Sequence, residues 1–175
     1  MTGITIHSLA ANELDAHADA LARIMADTVT AGAAIGYMQP FSIADGLAFF
    51  DTQVFPEVRA GRRRLLVARL DGGVAGTVQL ILALPPNQPH RCEVAKMMVA
   101  PTARRRGVGR ALLAAVDAEA LEAGKTLVTL DTRTGDNAEP LYRSAGFRTA
   151  GVIPGFAVDP DGTRLHATTY MYKTL

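Results

Sequence analysis

Between Val99 and Leu112 the chain reads Val-Ala-Pro-Thr-Ala-Arg-Arg-Arg-Gly-Val-Gly-Arg-Ala-Leu, with Arg104, Arg105, Arg106 and Arg110 set around Gly107 and Gly109. An apolar run at helical spacing begins with Val108, so the arginines and glycines fall at a helix start. A helix start offers N–H groups without intrahelical acceptors and the positive end of the helix dipole. Glycines there let a pyrophosphate approach the backbone, and guanidinium groups add charge for further phosphates. The chemistry this suggests is binding of a phosphate-bearing ligand. The plainer alternative is a solvated arginine turn that only begins a helix. No lysine followed by serine or threonine comes after the glycines, and the order is not Gly-x-Gly-x-x-Gly after a strand, which weakens nucleoside triphosphate and dinucleotide readings.

The elements that must position this segment can be read from periodicity. Thr2 to Leu9 alternates as a short strand, and Leu14, Leu21, Ile24, Met25 and Thr28 mark a first helix that Asn12 could cap. Phe41 to Val58 reads as a second helix closed by Gly61. Arg64 to Leu70 and Val74 to Leu84 are strands joined by the tight-turn signal Asp71-Gly72-Gly73. After the proline-rich loop 85–89, Cys92 to Val99 is a fourth strand, and a third helix follows from Val108 to Gly124. Thr126 to Asp131 is a fifth strand and Ala138 to Ala145 a short helix. Phe147 to Val152 and His166 to Tyr172 close the chain as strands, with a Pro/Gly/Asp loop between them. This order implies an α/β (α+β) domain spanning 1–175, a mixed sheet covered by helices on both faces.

Arg104-x-x-Gly107-x-Gly109 resembles the Arg/Gln-x-x-Gly-x-Gly/Ala signature of the GNAT acetyltransferases, which holds the pyrophosphate of acetyl-CoA. Asn137, Leu141-Tyr142 and Ala145-Gly146-Phe147 are similar to that family's second motif, in the same order and at the same remove. A narrower likeness is to the tabtoxin-resistance acetyltransferases. It is carried by Glu93-Val94-Ala95-Lys96-Met97-Met98-Val99, Leu130-Asp131-Thr132, Pro154-Gly155-Phe156 and Asp161-Gly162-Thr163-Arg164-Leu165-His166. The resemblance covers the second half of the chain. It implies the GNAT fold: a seven-stranded, mostly antiparallel sheet whose fourth and fifth strands splay apart.

The resemblance also implies roles. Met97, Met98 and Val99 would pair with the pantetheine arm through their backbone, and an N–H near Met98 would face the thioester oxygen. Arg104, Arg105, Arg106, Gly107, Val108, Gly109 and Arg110 would hold the phosphates, and Asn137 would contact the cofactor arm. Tyr142 matches the tyrosine that hydrogen-bonds the departing sulfur. An alkyl ammonium has a pKa of about 10 and must lose a proton before it attacks, so a carboxylate is needed close by. Glu93 and Asp131, on neighbouring strands, are the candidates, against the ordinary alternatives of a strand-edge charge and a turn cap. The expected activity is acetyl transfer from acetyl-CoA to the amine of a small molecule by direct attack, with an amino-acid-like antimetabolite or antibiotic as the finer expectation. A protein N-terminus or lysine as acceptor, and a non-catalytic acetyl-CoA-binding module, are the competing readings.

Composition bounds the rest. With 18 basic and 17 acidic residues the formal net charge is +1, which gives no global field for nucleic acid or an anionic membrane. Arg62-Arg63-Arg64 reads as a solvated turn. The single cysteine, Cys92, has no disulfide or zinc partner pattern, and alternation along the strand turns it away from the side that Glu93 faces. The four histidines show no metal spacing; His166 alone could border an acceptor pocket. No bound metal, no membrane span and a cytoplasmic location are expected, with a homodimer admissible.

Overall fold

The computed structural model describes residues 3–175. The part of the first-strand expectation that falls on Thr2 lies outside them. One sheet of seven strands runs in the order β1-β2-β3-β4-β5-β7-β6. The strands are β1 Thr5–Ser8, β2 Arg63–Leu70, β3 Gly73–Ile81, β4 Arg91–Val99, β5 Leu127–Arg133, β6 Arg148–Val158 and β7 Leu165–Thr174. All neighbours pair antiparallel except β4 and β5. The helices are α1 Leu14–Thr30, α2 Ile43–Phe49, α3 Phe55–Arg59, α4 Val108–Glu122 and α5 Ala138–Ser144. A π-helical turn, Phe50–Val54, joins α2 to α3, so the single second helix expected from the sequence is interrupted ahead of Pro56.

The sheet separates two apolar clusters. Leu66, Ala68, Val78, Leu80, Cys92, Val94, Val128 and Leu130 face α4. Leu65, Val67 and Met98 face the opposite way, against Leu14, Leu21 and Met25 of α1 and Phe49, Phe50, Val54 and Phe55 beyond it. Alternation along each strand sorts the side chains to these two faces.

Local chemistry sets the boundaries. The β2–β3 hairpin closes through Asp71 and Gly72, both at positive φ (53° and 83°), with Leu70 paired to Gly73, as a two-residue turn matched to strand twist requires. Asn12 does not cap α1. Glu13 precedes the helix instead, and its carboxylate accepts hydrogen bonds from Ala10 N–H (2.8 Å) and His7 Nε2 (2.9 Å). The expected loop from Val152 to His166 is also corrected. Pro154 and Gly155 lie inside β6, where the register with β7 shifts between Ile153 and Ala157, and the turn is confined to residues 159–164. β6 is an edge strand, and an edge with a bulge is where a strand tolerates proline.

Of the arginine run only Arg62 stays in the exposed turn, and Arg63 and Arg64 belong to β2. Arg62 pairs with Glu57 (2.6 Å) and Arg64 with Glu119 of α4 (3.1 Å), while Arg63 points to the α1 side and donates to Gln79 Oε1 (2.6 Å). Alternation in the strand sends Arg63 and Arg64 to opposite faces.

Ser42 and Asp45 form a capping box that starts α2: Asp45 N–H donates to Ser42 Oγ (3.1 Å) and Ser42 N–H to Asp45 Oδ2 (2.8 Å). Donation to Asp45 Oδ2 from the Ser42 hydroxyl (2.6 Å), and then from Ser42 N–H, holds the Asp45 carboxyl below its ordinary value. Ser42→Ala is expected to cost about 1 kcal/mol of stability, read as a lower urea midpoint with an unchanged slope.

Candidate active site

β4 and β5 pair only from Arg91–Leu127 to Glu93–Thr129. Beyond that point β4 stays with β3 and β5 with β7, so the strands part and the edge of β4 from Val94 to Val99 has no neighbour on the β5 side. A bulge lies in the same stretch. Thr77 opposes Met98 but Gln79 opposes Ala95, which leaves Lys96 and Met97 opposite the single residue Val78, with Lys96 at φ 49°. The extra residue resets the alternation: Val94 faces α4, and Met98 faces α1. Met98 and Val108 are fully buried by their side chains, so each can offer a ligand only its backbone.

The other end of the gap is the start of α4. Gly107 precedes the helix at φ 88°, a conformation that L side chains rarely adopt. The first intrahelical bond runs from Ala111 N–H to Gly107 O (3.1 Å), so the N–H groups of Val108, Gly109 and Arg110 have no intrahelical acceptor. Arg104, Arg105 and Arg110 are exposed and make no ion pair among the described residues, whereas Arg106 is held by Asp71 of the hairpin (2.8 Å). The arrangement suits a pyrophosphate, with Arg106 set aside to brace the loop.

Gly109 also has a packing reason to lack a side chain. A Cβ there would lie 2.8 Å from Leu141 Cδ2 of α5, so this glycine lets α4 and α5 touch. Leu141 precedes Tyr142, which is buried against Phe147. Burial, assisted by the negative charges of Asp131 and Asp136, raises the Tyr142 phenol above its ordinary value, so it is a hydrogen-bond donor throughout the physiological range. Asn137 is exposed at the start of α5, and its side chain makes no capping bond. Glu139, unremarked in the sequence, fixes the turn before it: the buried carboxylate accepts from Gly135 N–H (2.9 Å) and Arg143 (2.7 Å), which hold it below its ordinary value.

Glu93 and Asp131 face the α1 side together, since their neighbours Cys92, Val94, Val128 and Leu130 all face α4. Asp131 lies two residues beyond the partner of Glu93, about 7 Å further along the strand direction, where the strands have separated. Their surroundings differ. Glu93 pairs with Arg91 (3.4 Å), which also donates to Thr129 Oγ1 (2.6 Å). Asp131 accepts from Thr168 Oγ1 through Oδ2 (3.0 Å). His166 places Nδ1 3.2 Å from the Ala167 carbonyl, which fixes the proton on Nδ1 and leaves Nε2 buried without a partner. Cys92 is buried on the other face, and burial pushes its thiol up to about 11. Among the described residues no group of His, Cys, Asp or Glu could hold a metal ion, and no helix is long and apolar enough to cross a membrane.

The acetyltransferase (GNAT) domain family matches residues 61–149, from the start of β2 into β6. An uncharacterized N-acetyltransferase encoded in the hisH-hisA intergenic region of Azospirillum brasilense is 34% identical over 117 residues, 65% of this chain and 67% of that protein. An IAA acetyltransferase of the same organism is 35% identical over 98 residues, 55% of this chain and 62% of that protein. Among solved structures, a related N-acetyltransferase from Kribbella flavida superposes with a TM-score of 0.79 at 25% identity, covering 98% of both chains. YncA of Salmonella typhimurium, solved with acetyl-CoA, gives 0.79 at 23% identity over 98% of this chain and 94% of that one. The chain belongs to the GNAT acetyltransferase family.

Two outcomes check the geometry. Gly109→Ala should destabilise the protein by about 1–3 kcal/mol through overpacking, and Leu141→Ala in the same chain should recover part of that loss in a urea melt. Native Cys92 should resist iodoacetamide at pH 8 and react fully in urea, since burial keeps the thiol protonated until the pH approaches about 11.

Proposed function

We propose that this acetyltransferase moves the acetyl group of acetyl-CoA to the amine of a small molecule by direct attack. The observation that carries the reading is the parting of β4 and β5 beside two carboxylates, with a free helix start at one end of the gap and Tyr142 on α5, the helix packed against α4. Acetyl-CoA brings an activated acyl thioester, so that the amine nitrogen bonds to the acyl carbon as the carbon–sulfur bond breaks. The residues supply the rest. The start of α4, with Arg104, Arg105 and Arg110, binds the phosphates, and Asn137 borders the cofactor arm. The unpaired edge of β4 at Met97, Met98 and Val99 pairs with the pantetheine amides, and an N–H near Met98 stabilises the charge that develops on the thioester oxygen.

Asp131 is the better placed base. It stands where the strands have opened, with Oδ1 free of hydrogen bonds to the described residues, whereas Glu93 is committed to Arg91 and lines the closed end of the gap. Tyr142, with its phenol raised, donates a hydrogen bond to the departing thiolate instead of surrendering its proton outright. Cys92 faces away from the gap with a raised thiol, which disfavours a covalent acetyl-enzyme. The likeness to the tabtoxin-resistance acetyltransferases adds an amino-acid-like antimetabolite or antibiotic as the finer expectation. A protein N-terminus or lysine is the second reading, and a structural neighbour from Brucella melitensis described as a ribosomal-protein-alanine N-acetyltransferase keeps it in view.

The test is calorimetric titration with acetyl-CoA, using ATP and NAD as controls, followed by a thiol-release screen of amine metabolites against peptides. Selective binding near −8 kcal/mol, about micromolar, with turnover of small amines supports the proposal; turnover of peptides alone favours the second reading. Asp131→Asn should lower kcat/KM by about 10²–10⁴-fold, with Glu93→Gln falling less. Tyr142→Phe should lower kcat and leave acetyl-CoA affinity unchanged; full turnover in that variant would remove Tyr142 from the chemistry.

A further inference from the structure

On the face of the sheet shared by Glu93 and Asp131, three donor side chains come from the adjacent strands β2, β3 and β4. Arg63 on β2 and Gln79 on β3 are joined by the bond from Arg63 Nη1 to Gln79 Oε1 (2.6 Å). That bond orients the Gln79 amide, so its Nε2 points away as a donor. Gln79 opposes Ala95 of β4, and the bulge turns the next residue, Lys96, to the same face. Lys96 Nζ donates to the Ile35 carbonyl (2.6 Å) and lies 5.4 Å from the centre of the Tyr37 ring, both in the α1–α2 connection.

The donors are not all satisfied. Among the described residues Lys96 and Arg63 form no direct ion pair with a carboxylate, although the charge of Asp131 acts on Lys96 and that of Glu57 on Arg63, and Glu93 pairs with Arg91. Gln79 is fully buried, yet its Nε2 has no acceptor, and Arg63 Nε is likewise buried and unpaired. Burial lowers Lys96 from its ordinary value against the opposing pull of Asp131, and the orphaned buried donors of Gln79 and Arg63 are costly unless a further anion accepts from them. Phosphates of acetyl-CoA would sit at the start of α4, which packs against the opposite face, so they are not that anion.

We propose that Lys96 and Gln79, with Arg63 behind them, form a carboxylate subsite of the acceptor pocket, and that the acceptor is a small amine bearing a free carboxylate. The proposal rests on the acetyl-transfer reading for the identity of the other reactive group. It gives the pocket two signs: a cationic wall for the carboxylate, and Asp131 with Glu93 for the ammonium. Lys96 positions the acceptor and takes no part in bond making.

The experiment compares amino acids, including β-alanine and γ-aminobutyrate, each with its own carboxamide, in a thiol-release assay. In the unaltered enzyme the acid should exceed the amide in kcat/KM by ~10–100-fold, the range of a hydrogen bond to a charged group. Lys96→Gln and Gln79→Leu should each bring this ratio close to one, mainly through KM, with acetyl-CoA affinity retained, and Lys96→Arg should restore part of it. An acid-to-amide ratio of one in the unaltered enzyme overturns the proposal. So does a Lys96→Gln variant that loses acid and amide turnover equally, because Lys96 would then only strut the α1–α2 connection through Ile35. If no amine is turned over, the transfer reading fails by itself. Calorimetric titration of the same acids and amides into the protein then decides the subsite: acid binding that Lys96→Gln removes supports it, and absence of acid binding overturns it.

Discussion

Backbone donors and acceptors inside a sheet must find partners, and between β4 and β5 this chain supplies them only as far as Glu93 and Thr129. Everything proposed for the site follows from that interrupted ladder. β5 is fully engaged with β7 on its other side, from Leu127–Thr174 to Arg133–Thr168, and β4 with β3, so neither strand can swing across to close the gap. A row of amides is left beside two carboxylates. On the proposed reading, that open edge takes up an extended molecule carrying its own amide groups, and a pantetheine arm has that chemistry.

The bulge at Lys96 makes the two sides of the site compatible. Without the extra residue, alternation would carry Met98 to the α4 face, and the apolar cluster under α1 would lose a fully buried side chain. With it, Ala95 and Lys96 both turn toward α1, and a cation arrives on the face that holds Glu93 and Asp131. The cost is a non-glycine residue at positive φ, which commonly amounts to about 1–3 kcal/mol. Packing of Met98 and the Lys96–Ile35 bond offset it.

Much of this was legible before any coordinates. The hairpin at Asp71-Gly72, the helix from Val108, and the opposite facing of Cys92 and Glu93 follow from turn chemistry and from periods of 3.6 and 2. What escaped depends on contacts between elements distant in sequence. Nothing around Lys96 marks a bulge, since no glycine or proline stands there. The packing of Gly109 against Leu141 is not visible in the sequence because the two lie more than 30 residues apart. Arg63 was grouped with its neighbours because three adjacent arginines look alike until a strand separates them. Pro154 and Gly155 signalled a loop, and only their place on an edge strand makes them tolerable within β6.

The meeting of Gly109 with Leu141 reaches beyond packing. A methyl group at that point would have to displace the end of the Leu141 side chain, so the helix that offers free amides and the helix that carries Tyr142 are in close contact there. On the proposed reading, the span from phosphate to sulfur is therefore set by the protein. A floppy carrier is drawn out to a fixed gauge, and a carrier with a shorter or longer arm would present its sulfur to the wrong place.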